Sequence, residues 1–268
     1  MDMKSDHSIA TGVGAEPVGQ TTAYYDPEIG VAAAANRAAE EEAEEKLFTR
    51  EIRQGFIKKV YGILSVQLLI TTALTAVFYF VRDIRFWIFV HGQPLVIAAA
   101  VLLFVVSIPL FCCPAVARRY PVNYVLLLLF TCCQSVLLAS VTCFYNEYTV
   151  FVALAATVFL TVGLSLFAFQ VKYDFTSWTG VLFVLSLNLL LFGFFCLLLP
   201  KWAQILYSSL ALLLFSVYLV VDTQLIVGRG KLRLSEDEYI VAALMLYVDV
   251  VTIFLQLLRI VAAATDNN

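Results

Sequence analysis

From residue 57 onward the chain is a succession of seven apolar runs, each about 20 residues long, the length at which a helix crosses the hydrocarbon core of a bilayer. They fall at 59–81, 94–113, 122–143, 149–170, 180–199, 203–227 and 239–261, and most charged residues left in this part occupy the short gaps between them. Hydrocarbon offers no partner to a loose backbone group, so a spanning segment must be a helix or a strand of a closed barrel. The runs lack the alternating pattern of barrel strands, which leaves helices. The chain is therefore predicted to be an all-α polytopic membrane protein with seven transmembrane helices, neighbours packed antiparallel across short connections. A composition that is 62% hydrophobic and 14% charged lies outside the range of soluble domains and agrees.

The formal net charge of −3 conceals an asymmetry, because 11 of the 20 acidic residues lie in the first 56 positions. Residues 1–36 are small and polar with few large apolar side chains, too little to offset the entropy of ordering, and are expected to be disordered. In Ala38–Arg53 the glutamates at 40, 41, 42, 44 and 45 precede Lys46, Arg50 and Arg53, an order that suits the helix dipole and allows a Glu42–Lys46 pair. A solvated helix leading into the membrane is expected there; a partner-binding acidic segment is the sharper alternative. The domain division is then 1–50, an acidic cytosolic tail, largely disordered, and 51–268, the seven-helix domain. No apolar signal core precedes the first span, which is expected to act as an uncleaved signal-anchor.

Basic residues in short loops stay cytoplasmic. With the N-terminus inside, Arg50, Arg53, Lys58, Lys59, Arg118, Arg119, Lys172, Arg229, Lys231 and Arg233 share the cytoplasmic side, and only Arg82, Arg85, Lys201 and Arg259 lie opposite. The N-terminus is predicted to be cytosolic. Seven spans then place Asn268 on the other side, the reverse of the usual seven-helix receptor.

Several function classes lack their chemistry. The six cysteines match neither a zinc spacing nor a secreted disulfide framework and read as packing residues, except that Cys112 and Cys113, at the cytoplasmic end of the second span, are candidates for lipidation. His7 and His91 are too far apart for a metal site or a catalytic triad. No phosphate-binding loop and no basic patch with interleaved aromatics is present, so nucleic acid is not an expected partner, whereas membrane lipids are. Aromatic residues such as Trp87, Tyr120, Trp178 and Trp202 near the span ends fit an interfacial belt.

Asp222 and Asp249 are the only acidic or basic residues deep inside the runs. A carboxylate in hydrocarbon is costly, so such residues normally face a protein interior or a wet path. At 1.5 Å per residue, Asp222 lies about 10 Å from the cytoplasmic end of the sixth span and Asp249 about 16 Å from the same end of the seventh, depths close enough to meet. Tyr218 precedes Asp222 by one turn, and Thr252 and Gln256 follow Asp249 at helical spacing, supplying polar neighbours. A capping box at Ser235-Glu236-Asp237-Glu238 fixes the start of the seventh helix. Two carboxylates close together in a poorly hydrated site do not both ionise; they share a proton and titrate as a unit. With the proton they latch the helices, and without it they repel, admit water and offer oxygens to a hard cation such as Ca²⁺. Peptide hydrolysis by such a pair would require a Gly-x-Gly-Asp turn, and Leu246, Tyr247 and Val248 precede Asp249 instead. No catalysis is expected.

Five stretches resemble one known family: GFIKKVYGILSVQLL at 55–69, FCCPAVARRYP at 111–121, FQVKYDFTSWTG at 169–180, YLVVDTQLIVG at 218–228 and SEDEYIVAALMLYVDVVTIFLQLLRI at 235–260. Together they are similar to the transmembrane BAX-inhibitor-motif proteins, most closely the Lifeguard branch, over about residues 50–261. The resemblance implies a bundle whose last helix is surrounded by the others, and a pH-sensitive cation leak, mainly of Ca²⁺ and coupled to H⁺, with Asp222 and Asp249 at the sensor positions and no cofactor. It also implies suppression of stress-induced cell death from the endoplasmic reticulum or Golgi membrane, with the plasma membrane as the other location. Bacterial members carry an arginine in the second helix that latches one aspartate, yet residues 94–113 contain no basic residue. Gln134, Tyr218 and Arg259 remain open as latch partners. The alternative function is a non-conducting scaffold that binds death-regulatory or calcium-channel membrane proteins.

Overall fold

A computed structural model describes residues 27–266 except 197, 199, 229 and 231, and the chain divides at Phe48/Thr49 into two units. The disorder expected for residues 1–26 lies outside the described residues. Among the described residues seven helices are long and apolar enough to cross a membrane. They are α1 (Pro27–Phe80), α2 (Arg82–Cys112), α3 (Val122–Thr142), α4 (Glu147–Gln170), α5 (Thr179–Cys196), α6 (Lys201–Val227) and α7 (Tyr239–Asp266). Single turns at Pro114–Ala117, Phe175–Trp178 and Glu236–Glu238 sit in three of the connections.

Two boundaries differ from the sequence expectation. In the first unit the helix begins at Pro27 rather than near Ala38. Proline suits the first helical position, and the run of alanines at 32–35 carries the highest helix propensity, which explains helix where low apolar content predicts disorder. In the second unit α2 begins at Arg82, twelve residues before the apolar run, with Pro94 and Pro109 inside it. A proline removes one backbone hydrogen bond without ending a helix that neighbouring helices support. Only Val81, in an extended conformation, separates α1 from α2.

The last helix is the centre of the bundle, as the resemblance implies. Two thirds of its span, 67%, is buried, against 11% for the spans of α4 and α5. Around Ile240, Leu244, Tyr247, Val251 and Leu258 of α7 gather Phe56, Val60 and Leu64 of α1, Leu127 and Phe130 of α3, Ala153 of α4, and Leu219 and Ile226 of α6. Ala242 and Ala243, both fully buried, keep α7 thin where its neighbours approach. α5 packs chiefly on α6, where Leu182 meets Leu214 and Val221 in a separate cluster. Phe104, Phe159, Phe183 and Leu213 point outward, as lipid-facing side chains should.

Rotation of α7 is fixed by a polar chain within the apolar core. Thr71 of α1 donates to the Gln67 carbonyl at 2.9 Å, so the 2.8 Å contact between Thr71 and Tyr247 has the tyrosine hydroxyl as donor. Ser135 of α3 lies 3.1 Å from the Thr71 hydroxyl, and Gln67 Nε2 donates to Thr131 Oγ1 at 3.1 Å. These bonds tie α1, α3 and α7 together two residues before Asp249.

Candidate functional site

Asp222 and Asp249 meet. Each is about 95% buried, and their carboxyl groups neighbour and interact with each other across the α6–α7 seam. Neither carboxylate has a proton to give when ionised, so a hydrogen bond between them requires a proton on one. Asp249 Oδ2 is buried with no hydrogen-bond partner among the described residues, and so is Gln256 Oε1, two turns further along α7. The seam thus holds two free oxygen acceptors besides the contact itself.

The remaining sequence-predicted residues are placed as follows. Thr252 is half-buried and Gln256 buried, both on α7. Tyr218 packs beside the α5–α6 cluster, its hydroxyl 2.8 Å from Ser186 Oγ of α5. Cys112 and Cys113 are free, exposed thiols at the end of α2. Arg259 is exposed and ten residues beyond Asp249, about 15 Å along the helix, too far to latch the pair directly. The basic residues of α2 are Arg82 and Arg85, at the end of the helix away from Cys112, and Arg85 is committed to the Cys143 carbonyl through Nε at 3.2 Å and Nη2 at 2.9 Å.

The seventh helix starts as its sequence predicts. Glu238 Oε2 accepts from the Ser235 N–H at 3.0 Å, completing a capping box, while Oε1 accepts from Arg118 at 2.9 Å.

Two residues that the sequence reading left without a role control the end of α6. A helix C-terminus leaves carbonyls without donors, and here each has to be found one. Gly228, in the left-handed conformation at φ 74°, donates to the Gln224 carbonyl at 2.9 Å. Arg53 of α1 serves two more: Nη2 donates to Leu225 O at 2.7 Å, which also accepts from Leu234 N–H at 3.3 Å, and Nε to Val227 O at 3.3 Å, while Nη1 donates to Leu234 O beyond the helix at 2.7 Å. A cation there also faces the negative pole of the helix dipole. Its guanidinium stacks 4.9 Å from the Phe56 ring centroid and contacts Glu236 at 3.4 Å. Gln224 clamps the α4–α5 connection, accepting from Phe175 N at 2.8 Å and donating from Nε2 to Tyr173 O at 2.9 Å. Asp222 is only five residues from the end of α6, so this network sits about 8 Å from the level of the pair. The one signal for Arg53 in the sequence was Gly228 itself, which ends an apolar run as a helix-terminating glycine does and so announces carbonyls in need of a donor.

Comparison with known proteins follows the same residues. The chain is 36% identical to Protein lifeguard 3 of Homo sapiens over 217 residues, covering 79% of this chain and 69% of that protein. It is 35% identical to Protein lifeguard 3 of Mus musculus over 219 residues, covering 80% and 71%. With Protein lifeguard 4 of Mus musculus the identity is 36% over 218 residues, covering 81% and 88%. Residues 53–266, from the capping arginine to the end of the central helix, match the profile described as inhibitor of apoptosis-promoting Bax1, and the chain is a multi-pass membrane protein of that family.

Proposed function

We propose that the chain is a proton-gated leak for cations, mainly Ca²⁺, in an endoplasmic reticulum or Golgi membrane, and that by lowering stored Ca²⁺ it restrains stress-induced cell death. The observation that carries this reading is the contact of Asp222 with Asp249 inside the α6–α7 seam. With one proton between them the carboxyls hold the two helices together. Without it, two like charges at about 4 Å in a medium of effective dielectric 20 repel by about 4 kcal/mol, enough to part a seam and admit water. The released carboxylates, and further along α7 Gln256 Oε1, then present oxygens to a passing cation whose six to eight ligands are completed by water and backbone. The Arg53 cap and the Gln224 clamp form the closure that must give way at the basic end. The cell-death part of the reading comes from the family description and the names of the relatives. The reading assigns the chain no catalytic reaction and no cofactor.

In liposomes, purified protein is expected to release Ca²⁺ faster as pH rises from mildly acidic to mildly alkaline, because the shared proton is then lost. Asp222→Asn and Asp249→Asn should each flatten that dependence, since an amide cannot switch charge. Wild-type liposomes as tight as empty ones would overturn the reading. The scaffold alternative draws on the exposed stretch in which Glu44 and Glu45 stand beside Leu47 and Phe48, a surface suited to a death-regulatory or channel partner. It forecasts that removing residues 1–50 abolishes cell protection and leaves ion flux unchanged.

A further inference from the structure

At the end of the bundle away from Arg53, a cavity of about 400 Å³ opens between α1, α3, α4 and α7. Its walls run along α1 from Phe80 to Leu68 and along α4 from Glu147 to Val162. Those stretches rise about 18 and 22 Å. The cavity is therefore a slot that starts at the membrane interface and reaches past the middle of the bilayer, since half the hydrocarbon thickness is about 15 Å. One lipid chain in one leaflet has that reach. The interior is walled by leucine, valine, phenylalanine and threonine, and the outer rim carries Phe80 and Phe151, both exposed.

The mouth is different chemically. Glu147, in the first turn of α4, lines it and acts electrostatically on Tyr79, also in the wall. Arg85 lies 4.5 Å from the Tyr79 ring centroid. One turn inward from Tyr79, Thr75 Oγ1 lines the slot without a hydrogen-bond partner among the described residues. Thr161 Oγ1, deeper in the slot on α4, is likewise without a partner among the described residues, whereas Thr71, Thr142 and Thr157 of the same wall donate to their own helices' carbonyls. A carboxylate, a neighbouring guanidinium and a free hydroxyl donor therefore cluster at the mouth of a dry slot.

We propose that this cavity holds one acyl chain of a membrane phospholipid with an ammonium headgroup, choline or ethanolamine. The ammonium faces Glu147, the phosphate Arg85, and an ester carbonyl accepts from Thr75. Phosphatidylglycerol or a free fatty acid brings no ammonium to Glu147. The slot also touches Val250, Val251 and Phe254 of α7, so the lipid packs against the central helix.

The test uses full-length protein in a non-ionic detergent, mixed with equal amounts of phosphatidylcholine and phosphatidylglycerol bearing the same chains, with retained lipid counted by native mass spectrometry. One phosphatidylcholine per chain is expected, favoured about fivefold, the size of an interfacial ion pair. Glu147→Lys, at an exposed position, should reverse the preference, and Ala76→Phe, which places a ring in the slot, should abolish retention. A tryptophan introduced by Phe151→Trp should be quenched by brominated chains at one lipid per protein. Equal retention of the two lipids, a preference for phosphatidylglycerol, a preference unmoved by Glu147→Lys, or no quenching at position 151 would each overturn the proposal.

Discussion

The two ends of the bundle are built in opposite ways. At the basic end, Arg53 gives three carbonyls their donors, Gln224 clamps a connection, and Lys59 Nζ sits 3.3 Å from the Tyr239 ring centroid. At the other end Arg85 satisfies the Cys143 carbonyl, but beside it the helices splay around a cavity of about 400 Å³. Both ends spend one arginine on backbone carbonyls. They differ in what lies behind it: the buried aspartate pair behind Arg53, and an apolar slot beside Arg85. Under the proposed function, a bundle closed by polar bonds at one end and splayed around a slot at the other places its resistance to ion passage between the aspartates and the basic end.

The sharpest way to break this comparison is Arg53→Ala. It removes the side-chain donor from the Leu225, Val227 and Leu234 carbonyls at once, leaving Leu225 O only the Leu234 N–H at 3.3 Å. Bonds to a charged donor contribute about 1.5–3 kcal/mol each in soluble proteins, while bonds within membrane bundles average nearer 0.6, so a loss of about 3 kcal/mol is expected. Thermal unfolding in detergent measures it, and Arg53→Lys should recover only part because an ammonium cannot fork across three acceptors. An unchanged melting temperature would mean the basic end is not closed by this residue.

Gly228→Ala should come next, at about 2 kcal/mol. Half is the cost of a left-handed conformation for a residue with a Cβ. The rest arises because that Cβ would lie 2.7 Å from Arg53 Nη2. In the Arg53→Ala background only the backbone part should remain, so a double-mutant cycle separates the two. Additive costs would show that the added Cβ does not press on the Arg53 guanidinium.

These two residues also mark where the sequence stopped being legible. The aspartate pair could be found because charge in an apolar run is conspicuous and depth follows from counting residues from the nearest loop. The central position of α7 came from the family resemblance, and its burial agrees. Arg53 escaped because its acceptors are backbone atoms 172 to 181 residues away, and a backbone carbonyl leaves no mark on a side-chain pattern. The start of α2 was misplaced because Pro94 coincides with the beginning of the apolar run, although a proline supported by neighbouring helices does not end one. The slot between α1 and α4 was invisible for a further reason: its wall residues look like any lipid-facing stripe, and only their separation makes a cavity.

At the other end, Arg85→Ala should cost about half as much as Arg53→Ala, about 1.5 kcal/mol, because it is chiefly the Cys143 carbonyl that loses its side-chain donors, against three carbonyls at Arg53. Equal losses at the two arginines would erase the asymmetry between the ends.

The smallest effect is expected at Arg118, and it decides what kind of closure the basic end has. Arg118 meets Glu238 at 2.9 Å, with side chains 45% and 27% exposed. Exposed pairs of this kind contribute about 0.5 kcal/mol and weaken with salt. Arg118→Ala also leaves the α7 cap standing, because Glu238 still accepts from Ser235 N–H through its other oxygen. A loss near 0.5 kcal/mol that vanishes in high salt would show that surface charge only decorates this end, while the half-buried Arg53 closes it. A loss equal to that of Arg53→Ala, and equally salt-sensitive in both variants, would invert the argument: the closure would be an electrostatic surface, and the path from the aspartates to the basic end would open with ionic strength rather than with the proton.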